Sequence, residues 1–278
     1  MKLIKPSVEI IKQEEYDLNH IFKFIELAGR TCYKSEDKIT EDSAGEFVDR
    51  MIKSGHGAML EHGTVYLTIP NKNISRSLLI YYCERNPYSK VVWTDTNVYI
   101  TTNYRAIIEN NWNDLLKYIT APTEFHVKRT TVKFICDRGV SHEFVRHRVF
   151  SFAQESTRYC NYTKDKFNNE LTFIIPCWIK DLKEGNYYAY CEYHHSKNDT
   201  SKRWFDSCMS AEFVYTNLIE EGWKPQEART ILPNSLKTEL IMTGFDSDWR
   251  HFFKLRYAPS AHPQAKELAD MLKDKFNK

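Results

Sequence analysis

Arg146-His147-Arg148 is followed directly by Val149-Phe150-Ser151-Phe152-Ala153-Gln154-Glu155-Ser156-Thr157-Arg158-Tyr159. This run opens with three cationic or potentially cationic side chains and continues with a dense set of hydrogen-bonding groups. Arginine guanidinium groups bind phosphates and carboxylates through two parallel N–H bonds. A neutral imidazole offers one donor and one acceptor to a planar heterocycle. The run therefore predicts a binding site for a ligand that carries phosphates and amides.

A solvated basic helix end is the alternative interpretation of the same run. Two features argue against it. Apolar residues before the run predict a strand and a helix packed in the core, and they are Val132, Phe134, Ile135, Val140, Phe144 and Val145. The polar residues after it include few of the Lys and Glu residues that soluble helices favour. Gln154, Ser156 and Arg158 alternate, so an extended chain would place their side chains on one face.

Length and composition set the broad class of the protein. The chain has 278 residues, enough for one large or two small domains, and 42% of them are hydrophobic. The formal net charge is +2, which gives no global electrostatic reason to expect nucleic acid or a membrane as a partner. No apolar run is long enough to span a bilayer, and the N-terminus lacks a signal-peptide core. A cytoplasmic location is expected.

The cysteine pattern also favours a cytoplasmic location. They are odd in number and lack paired Cys-x-x-Cys spacing, and they lie at Cys32, Cys83, Cys136, Cys160, Cys177, Cys191 and Cys208. Free thiols in a reducing compartment are the economical interpretation. Cys191 with His194 and His195 is better explained by an exposed helical face than by a metal site, and no metal is predicted.

Hydrophobic periodicity predicts alternating helices and strands along the chain. Expected strands are near Val8 to Asp17 (with a turn), Val65 to Ile69, Thr131 to Cys136 and Leu171 to Ile175. Expected helices are Leu18 to Ala28, a helix from an N-cap at Thr40 to a stop at Gly55, Arg138 to Arg146, Tyr187 to Glu221 with Gly222 as its stop, one from Pro225, and Ala265 to Phe276. Between residues 71 and 127, a hairpin is expected from Val91 to Ile100, followed by helical stretches at Tyr104 to Ile108 and Trp112 to Ile119.

Four separated segments resemble the flavin-dependent thymidylate synthases. That family carries Arg-His-Arg, then seven residues, then Ser with an Arg nearby, as in Arg146 to Arg158. The other similar segments are Gly55-His56 with Glu61-His62, Ala228-Arg229 with Leu232-Pro233, and His251-Phe252 with Arg256. An early segment, Arg30 to Tyr33, is also similar. The chain departs from the family at Ala153 and Gln154, where Asn-Glu is commoner, and at Phe245 and Ser247, where the family often has Asn-x-Arg.

The resemblance implies an α+β fold, a single domain over residues 1–278 with a mixed or antiparallel sheet and flanking helices. Shorter family members run almost directly from the strand near Val65 to the segment before Arg146, so residues 71–127 are read as an insertion. It further implies a homotetramer with shared active sites. The implied reaction converts deoxyuridine monophosphate (dUMP) to thymidylate (dTMP). Methylenetetrahydrofolate gives the carbon, and FAD reduced by NADPH gives the hydride.

The resemblance also implies which residues bind each ligand. The expected FAD contacts are His56, Glu61, Arg146, His147, Arg148, Gln154 and His251. The expected dUMP contacts are Glu143, Arg146, Gln154, Glu155, Ser156, Thr157, Arg158, Arg229 and Arg256. Arg158 and Arg229 would hold the phosphate, with Arg229 reaching the nucleotide of a neighbouring subunit.

Elementary chemistry agrees with these roles. Uracil is a poor carbon nucleophile at C5, and an arginine against its N3–C2 edge would stabilise the developing negative charge. The resemblance, by the matching position of Arg256, makes it the predicted catalytic residue. Ser156 is predicted to bind substrate, because no His/Asp relay is evident beside it. The sequence has no Gly-x-Gly-x-x-Gly and no Walker loop, so side chains would hold the FAD.

Two alternatives stay open from the sequence. One is a flavin-binding relative without methyl transfer, which the departures at Ala153, Gln154, Phe245 and Ser247 keep open. The other is a single-stranded nucleic-acid-binding protein that uses residues 146–158 as a stacking surface. The near-zero net charge counts against the second alternative.

Overall fold

The computed structural model describes residues 1–75, 83, 85–188 and 199–276. The strands are β1 (Lys2–Ile4), β2 (Ser7–Ile11), β3 (Thr64–Pro70), β4 (Lys90–Trp93), β5 (Asn97–Asn103), β6 (Arg129–Asp137), β7 (Ser151–Gln154), β8 (Thr172–Ile174), β9 (Gly185–Asn186) and β10 (Lys237–Phe245). The α-helices are α1 (Leu18–Tyr33), α2 (Ser43–Lys53), α3 (Gly57–Leu60), α4 (Tyr104–Glu109), α5 (Arg138–Phe144), α6 (Asp199–Glu220), α7 (Pro225–Ala228), α8 (Asp246–Arg256) and α9 (Pro263–Phe276).

A four-stranded antiparallel sheet has the order β2-β6-β10-β7. It includes the strands on either side of the Arg146-His147-Arg148 run, β6 before it and β7 after it. Strand β10 lies between β6 and β7, and all of its residues except Lys237 are buried. The sequence pattern did not predict this strand. A strand buried on both faces lacks the apolar–polar alternation that identifies half-buried strands.

The two faces of this sheet are covered differently. On one face, Phe134 and Met242 pack with Phe144, Trp249 and Leu268 from the helices α5, α8 and α9. On the other face, Ile241 of β10 and Ala153 of β7 pack against Ala28 of α1. This double coverage explains why β10 is buried on both faces, with the ion-paired Glu239 beside Ile241 on the side of α1. It also explains why the short strand β7 has a fixed register beside it.

A second antiparallel sheet has the order β3-β5-β4. The hairpin predicted within residues 71–127 is confirmed, with Val91 opposite Ile100 in the register of β4 and β5. Strand β5 also pairs with β3, so this segment completes a sheet begun by residues before it. The predicted helices are confirmed as α4 and as a 3-10 helix at Asn113–Tyr118. The segment therefore packs with α1 and α2 in one hydrophobic core.

The third sheet, β8-β1-β9, is mixed, because β1 runs parallel to β8 and antiparallel to β9. It packs on helix α6 through Phe173, Phe205 and Tyr215. Strand β1 was not predicted, since three residues are too few to show a period. Mixed and antiparallel sheets with flanking helices confirm the predicted α+β class.

Several predicted element ends were wrong. Helix α1 continues to Tyr33 rather than Ala28, and it ends where Lys34 adopts a left-handed conformation and donates its N–H to the carbonyls of Arg30 and Thr31. Helix α2 begins at Ser43, whose hydroxyl accepts a bond from the backbone N–H of Thr40, so Thr40 is not its N-cap. Helix α5 ends at Phe144, two residues before the predicted end.

The predicted helix stops at Gly55 and Gly222 are confirmed by positive φ angles of 71° and 97°, which favour glycine. Helix α6 begins at Asp199, and residues 189–198 of the longer predicted helix lie outside the described residues, as do Cys191, His194 and His195. The other cysteines are free thiols. In the part of the chain that the structure describes, helices are too short or too polar to cross a membrane.

Candidate active site

The Arg146-His147-Arg148 run lies where helix α5 ends and the chain turns into β7, as the sequence predicts. Asp137 caps the start of α5, where its Oδ1 accepts a bond of 2.8 Å from the N–H of Val140. Arg146 and Arg148 are exposed, and neither side chain forms an ion pair with a described residue. His147 between them is buried, with 7% of its surface exposed. The turn thus presents two free guanidinium groups on either side of an inward imidazole.

Arg256, at the end of α8, reaches back across the core to this turn. Its Nε donates to His147 Nε2 at 3.0 Å, and its two terminal nitrogens donate to the Oε2 and the backbone carbonyl of Glu143 at 2.6 and 2.7 Å. A guanidinium has five N–H groups, so three are used and two remain for a ligand. Only 14% of the Arg256 side chain is exposed. The arginine is held in one orientation with donors to spare.

His147 is kept neutral by its surroundings. Burial lowers its pKa to about 4, with further contributions from the positive charges of Arg256 and His251. Because Nε2 accepts from Arg256, the ring proton must lie on Nδ1. His251 is exposed, and its ring centroid lies 6.3 Å from that of His147. The sequence singled out both histidines, and the fold brings them together.

The segment from Gln154 to Arg158 is extended only in part, which corrects the expectation of one shared face. Strand β7 ends at Gln154, and the backbone N–H of Ser156 then donates to the carbonyl of Cys32 in α1. Residues 157–159 form a turn, in which the N–H of Arg158 donates to Ser156 Oγ at 3.3 Å. The chain leaves the sheet after Glu155, whose N–H still donates to the Glu239 carbonyl on β10, because the next backbone N–H, that of Ser156, has its partner on α1.

Gln154 stays on the sheet and points toward α5. Its amide nitrogen donates to Ser141 Oγ at 2.8 Å and to Thr238 Oγ1 at 3.2 Å. Its side-chain carbonyl remains available as an acceptor.

Two arginines converge beside this turn. Arg158 donates through Nε to Gln226 at 3.3 Å, and Arg229 donates to Thr157 Oγ1 at 3.3 Å. Among described residues, neither guanidinium has an acidic partner. Arg229 lies on a short 3-10 helix after α7 and is exposed. Two uncompensated positive charges held by neutral side chains suit an anion with several oxygens.

Glu155 lies in the interior next to this turn. Its two carboxylate oxygens accept bonds from Tyr162 and Lys237 at 3.0 and 2.9 Å, and only 1% of the residue is exposed. Lys237 also pairs with Glu239 on the central strand. Its backbone N–H donates to the Glu239 carbonyl at 2.9 Å. Both the side chain and the N–H are thus committed, and a substrate contact of Glu155 is left to its backbone carbonyl.

The second candidate segment, from His56 to His62, runs along the short helix α3. His56 is exposed at its start, and Glu61 follows its end. Glu61 Oε1 pairs with Arg105 at 2.7 Å, and its backbone carbonyl accepts two N–H groups of Arg129 at 3.2 and 3.1 Å. Neither arginine was singled out from the sequence, because nothing in their local pattern shows which carbonyl or carboxylate they would meet.

His62 is fully buried, and its Nδ1 lies 2.8 Å from Thr243 Oγ1 on β10. Burial lowers its pKa to about 3, with the charge of Arg129 adding to the effect. A neutral histidine bonded to the central strand fastens α3 to the sheet. Its neighbour Glu61 is thereby fixed relative to β10.

Phe245 and Ser247, two of the departures from the family pattern, differ in environment. Phe245 is buried, with Arg129 Cζ and Lys90 Nζ each 5.5 Å from its ring centroid. Ser247 is exposed on α8. The aromatic ring thus packs with cations from β6 and from β4.

Cavities border two of these groups. One of about 270 Å³ is lined by Glu143, Asp137, Gln264, Trp178 and Trp204. Another of about 380 Å³ is lined by Glu61, Arg105, Asn103 and Tyr88. A cavity of about 640 Å³ beside α6 contains none of the predicted site residues.

The fold and site define an α+β protein with clustered, uncompensated arginines beside a neutral histidine, an arrangement suited to an anionic, heterocyclic ligand. A family model described as "Thymidylate synthase complementing protein" matches residues 113–278. This match covers more than half of the chain, and the chain belongs to that family.

Its curated relatives carry the name flavin-dependent thymidylate synthase. The Pyrococcus furiosus protein is 29% identical over 202 residues, which cover 70% of this chain and 75% of that protein. The Pyrococcus horikoshii protein is 31% identical over 134 residues, 48% of each chain, so that alignment spans about half of the relative. The Corynebacterium glutamicum protein is 22% identical over 281 residues, covering 96% and 83%. The chain is an enzyme of this type.

A solved structure was also found to be similar. It is a UMP/dUMP methylase from Streptomyces cacaoi bound with 5-Br dUMP, with a TM-score of 0.45 and 17% identity over 99% of this chain and 92% of that one.

Proposed function

We propose that this enzyme converts dUMP to dTMP by reductive methylation, with methylenetetrahydrofolate as the carbon donor and NADPH as the reductant of a bound FAD. The FAD supplies the hydride for the methyl group. The observation that carries the proposal is the Arg256 group, in which Glu143 and a neutral His147 fix a guanidinium with two N–H groups to spare. Membership of the family supplies the reaction class.

Arg256 is the proposed catalytic residue. Its remaining N–H groups would bind the N3–C2 edge of uracil and stabilise negative charge as C5 becomes nucleophilic. Its partners keep the guanidinium from turning away, so little reorganisation accompanies the reaction. Glu143 Oε2 accepts a bond from this guanidinium and would orient the base beside it. The Gln154 amide is bonded to Ser141, which lies on the same helix α5 as Glu143.

Arg158 and Arg229 are proposed to bind the dUMP phosphate, with Ser156 and Thr157 beside them. Both guanidinium groups contact neutral side chains, so their charge is not compensated by a carboxylate of the described residues. Arg146 would extend the same positive surface from the end of α5. A phosphate at this point would supply the missing negative charge.

The residues present fit an FAD. Exposed Arg146 and Arg148 have no acidic partner in the described part of the chain and suit a pyrophosphate, while neutral His147 can donate from Nδ1 to a heterocycle. His56, Glu61, Gln154 and His251 would complete the contacts. No glycine-rich dinucleotide loop is present in the sequence, so side chains carry this binding.

We further propose that the active form is a homotetramer with shared sites, built from a single domain with an insertion at about 71–127. Val149 and Tyr159 flank the proposed site and are 61% and 54% exposed. In such an assembly these two side chains would give a second copy apolar contacts beside the site. The free cysteines suit a reducing cytoplasm.

The visible absorption spectrum of the purified protein, titrated with dUMP, tests the proposal. A flavin spectrum perturbed by dUMP, but far less by deoxyuridine, is expected because the phosphate anchors the base. Formation of dTMP should require both methylenetetrahydrofolate and NADPH. A flavin that does not respond to dUMP would instead indicate a relative without methyl transfer. A protein that takes up no FAD would return attention to single-stranded nucleic acid.

A further inference from the structure

Glu61 is held from two sides by arginines that come from different sheets. Arg129, on β6 of the central sheet, donates two N–H groups to its backbone carbonyl. Arg105, on α4, pairs with its carboxylate Oε1 at 2.7 Å. The carbonyl contact fixes the main chain, and the carboxylate contact fixes the direction of the side chain.

Arg105 owes its position to the 71–127 segment. Strand β5 pairs with β3 so that Asn103 lies opposite Thr64, three positions after Glu61. Asn103 then caps α4, where its Oδ1 accepts a bond of 2.9 Å from the N–H of Ala106. The N–H of Tyr104 donates to the carbonyl of Gly63. The register and the cap together direct Arg105 at the segment from His56 to Glu61.

Arg105 also lies across the start of α3. A Cβ added at Gly57 would come within 2.9 Å of Arg105 Nε, so the side chain packs directly on this glycine, next to His56. One guanidinium therefore contacts both ends of the short helix α3, which is flanked by the two predicted flavin-binding residues, His56 and Glu61.

The Arg105–Glu61 pair faces a cavity of about 380 Å³ that Asn103, Tyr88 and Asn110 also line. The side chains of Arg105 and Glu61 are 37% and 21% exposed. Ion pairs with this exposure contribute little to folding stability, since solvent screens them. Within the described residues, Glu61 Oε2 has no hydrogen-bond donor, which leaves one oxygen of an oriented carboxylate for a ligand N–H.

We propose that Arg105 is a positioning residue of the active site, through which the 71–127 segment fixes the Glu61 carboxylate for flavin binding. This inference rests on the proposed function, because it assigns Glu61 a flavin contact. The segment would then be part of the site, and a chain without it would need another group to hold this carboxylate.

A set of four single variants tests the inference by FAD affinity and thermal unfolding. Arg105→Gln and Glu61→Gln should each weaken FAD binding about tenfold, the loss of one charge-assisted contact. Glu109→Gln is the matched control, because it removes only the charge of the 58% exposed second partner of Arg105 and leaves Glu61 unchanged. It should keep wild-type affinity. Arg105→Lys should restore part of the affinity, since it returns the charge without the fork.

The double variant Arg105→Gln with Glu61→Gln should bind FAD no more weakly than either single variant, because both act on one contact. Wild-type FAD affinity in Arg105→Gln would overturn the inference. So would a loss of affinity that is matched by a fall in Tm absent from Glu109→Gln, because the role would then be structural. Failure of the wild-type protein to bind FAD would instead count against the proposed function.

Discussion

The two arginine groups of the candidate site differ in how their charge is balanced. Arg256 is paired with the Glu143 carboxylate and bonded to His147, and 14% of its side chain is exposed. Arg158 and Arg229 contact Gln226 and Thr157, which are neutral. The first group lies at the turn that holds His147 and the second at the turn of residues 157–159; the first is fixed and neutralised, whereas the second is open and positive.

Arg256 is therefore suited to orienting a ligand, whereas Arg158 and Arg229 are suited to attracting an anion. A guanidinium whose charge is already compensated adds little long-range pull, but its free N–H groups point in fixed directions. An uncompensated pair attracts an anion strongly and tolerates some variation in position. A nucleotide needs both, because its phosphate supplies binding energy and its base must be aligned for reaction.

The largest effect is expected from Arg256→Ala. Removal of a preorganised donor should lower kcat by about 100- to 1000-fold, while the bound flavin and its spectrum remain. Steady-state dTMP formation and the visible spectrum measure the two properties. Arg250→Ala, an exposed arginine on the same helix α8, is the control and should retain activity. Wild-type turnover in Arg256→Ala would remove Arg256 from the chemistry.

Arg229→Ala should act on binding rather than on the chemical step. Loss of one charge-assisted contact to phosphate is expected to raise the dUMP dissociation constant about 10- to 100-fold, with kcat at saturating dUMP nearly unchanged. The effect should shrink as salt is added. Arg203→Ala, at an exposed position of α6, controls for the loss of a positive charge. Unchanged dUMP affinity in Arg229→Ala would contradict the phosphate assignment.

Glu143→Gln should have a smaller effect than Arg229→Ala, and it should lower kcat more than dUMP affinity. The amide still accepts a bond from Arg256 but no longer balances its charge, so the guanidinium is held less firmly. We expect kcat to fall about tenfold and dUMP affinity to change less, because orientation is lost rather than charge. Glu221→Gln, exposed at the end of α6, serves for comparison. A larger change in dUMP affinity than in kcat would contradict the role of Glu143 in orienting Arg256.

The last prediction concerns folding stability at acid pH rather than catalysis or binding. The pKa of His147 is lowered to about 4 from 6.5, mainly by burial, so the unfolded chain binds more protons between these values. Stability should therefore decrease as the pH falls from about 6.5 to about 4, by at most about 1.4 kcal/mol per pH unit for this histidine. Urea unfolding at a series of pH values would measure it. His147→Gln should show a shallower slope, and parallel slopes would contradict a buried neutral imidazole.

Local sequence patterns predicted many of the elements that surround the site. The signature was expected at the end of a helix and in the loop beyond, and α5 and β7 flank it in that way. The Val91–Ile100 hairpin followed from two apolar runs around a polar turn, and it is present. These features depend on residues close in the sequence, where turn chemistry and periodicity act directly.

Other features could not be read locally. The central strand β10 was missed because helices cover one of its faces and α1 the other, which removes the alternating pattern. Glu155 was expected to contact dUMP, and nothing in its local pattern shows that Lys237 and Tyr162 bind its carboxylate. Arg105 and Arg129 gave no local signal, since their partners on the His56–His62 segment lie on another part of the fold.

The sequence by itself determined the residue types of the site, their order and their family, because a motif of fixed spacing survives without knowledge of the fold. Only the tertiary structure decided which groups share a contact. Arg256 meets Glu143 across 113 residues, and Arg229 meets Thr157 across 72. Such pairs form only when strand register and helix packing bring distant segments within hydrogen-bond reach, and no local pattern contains that geometry.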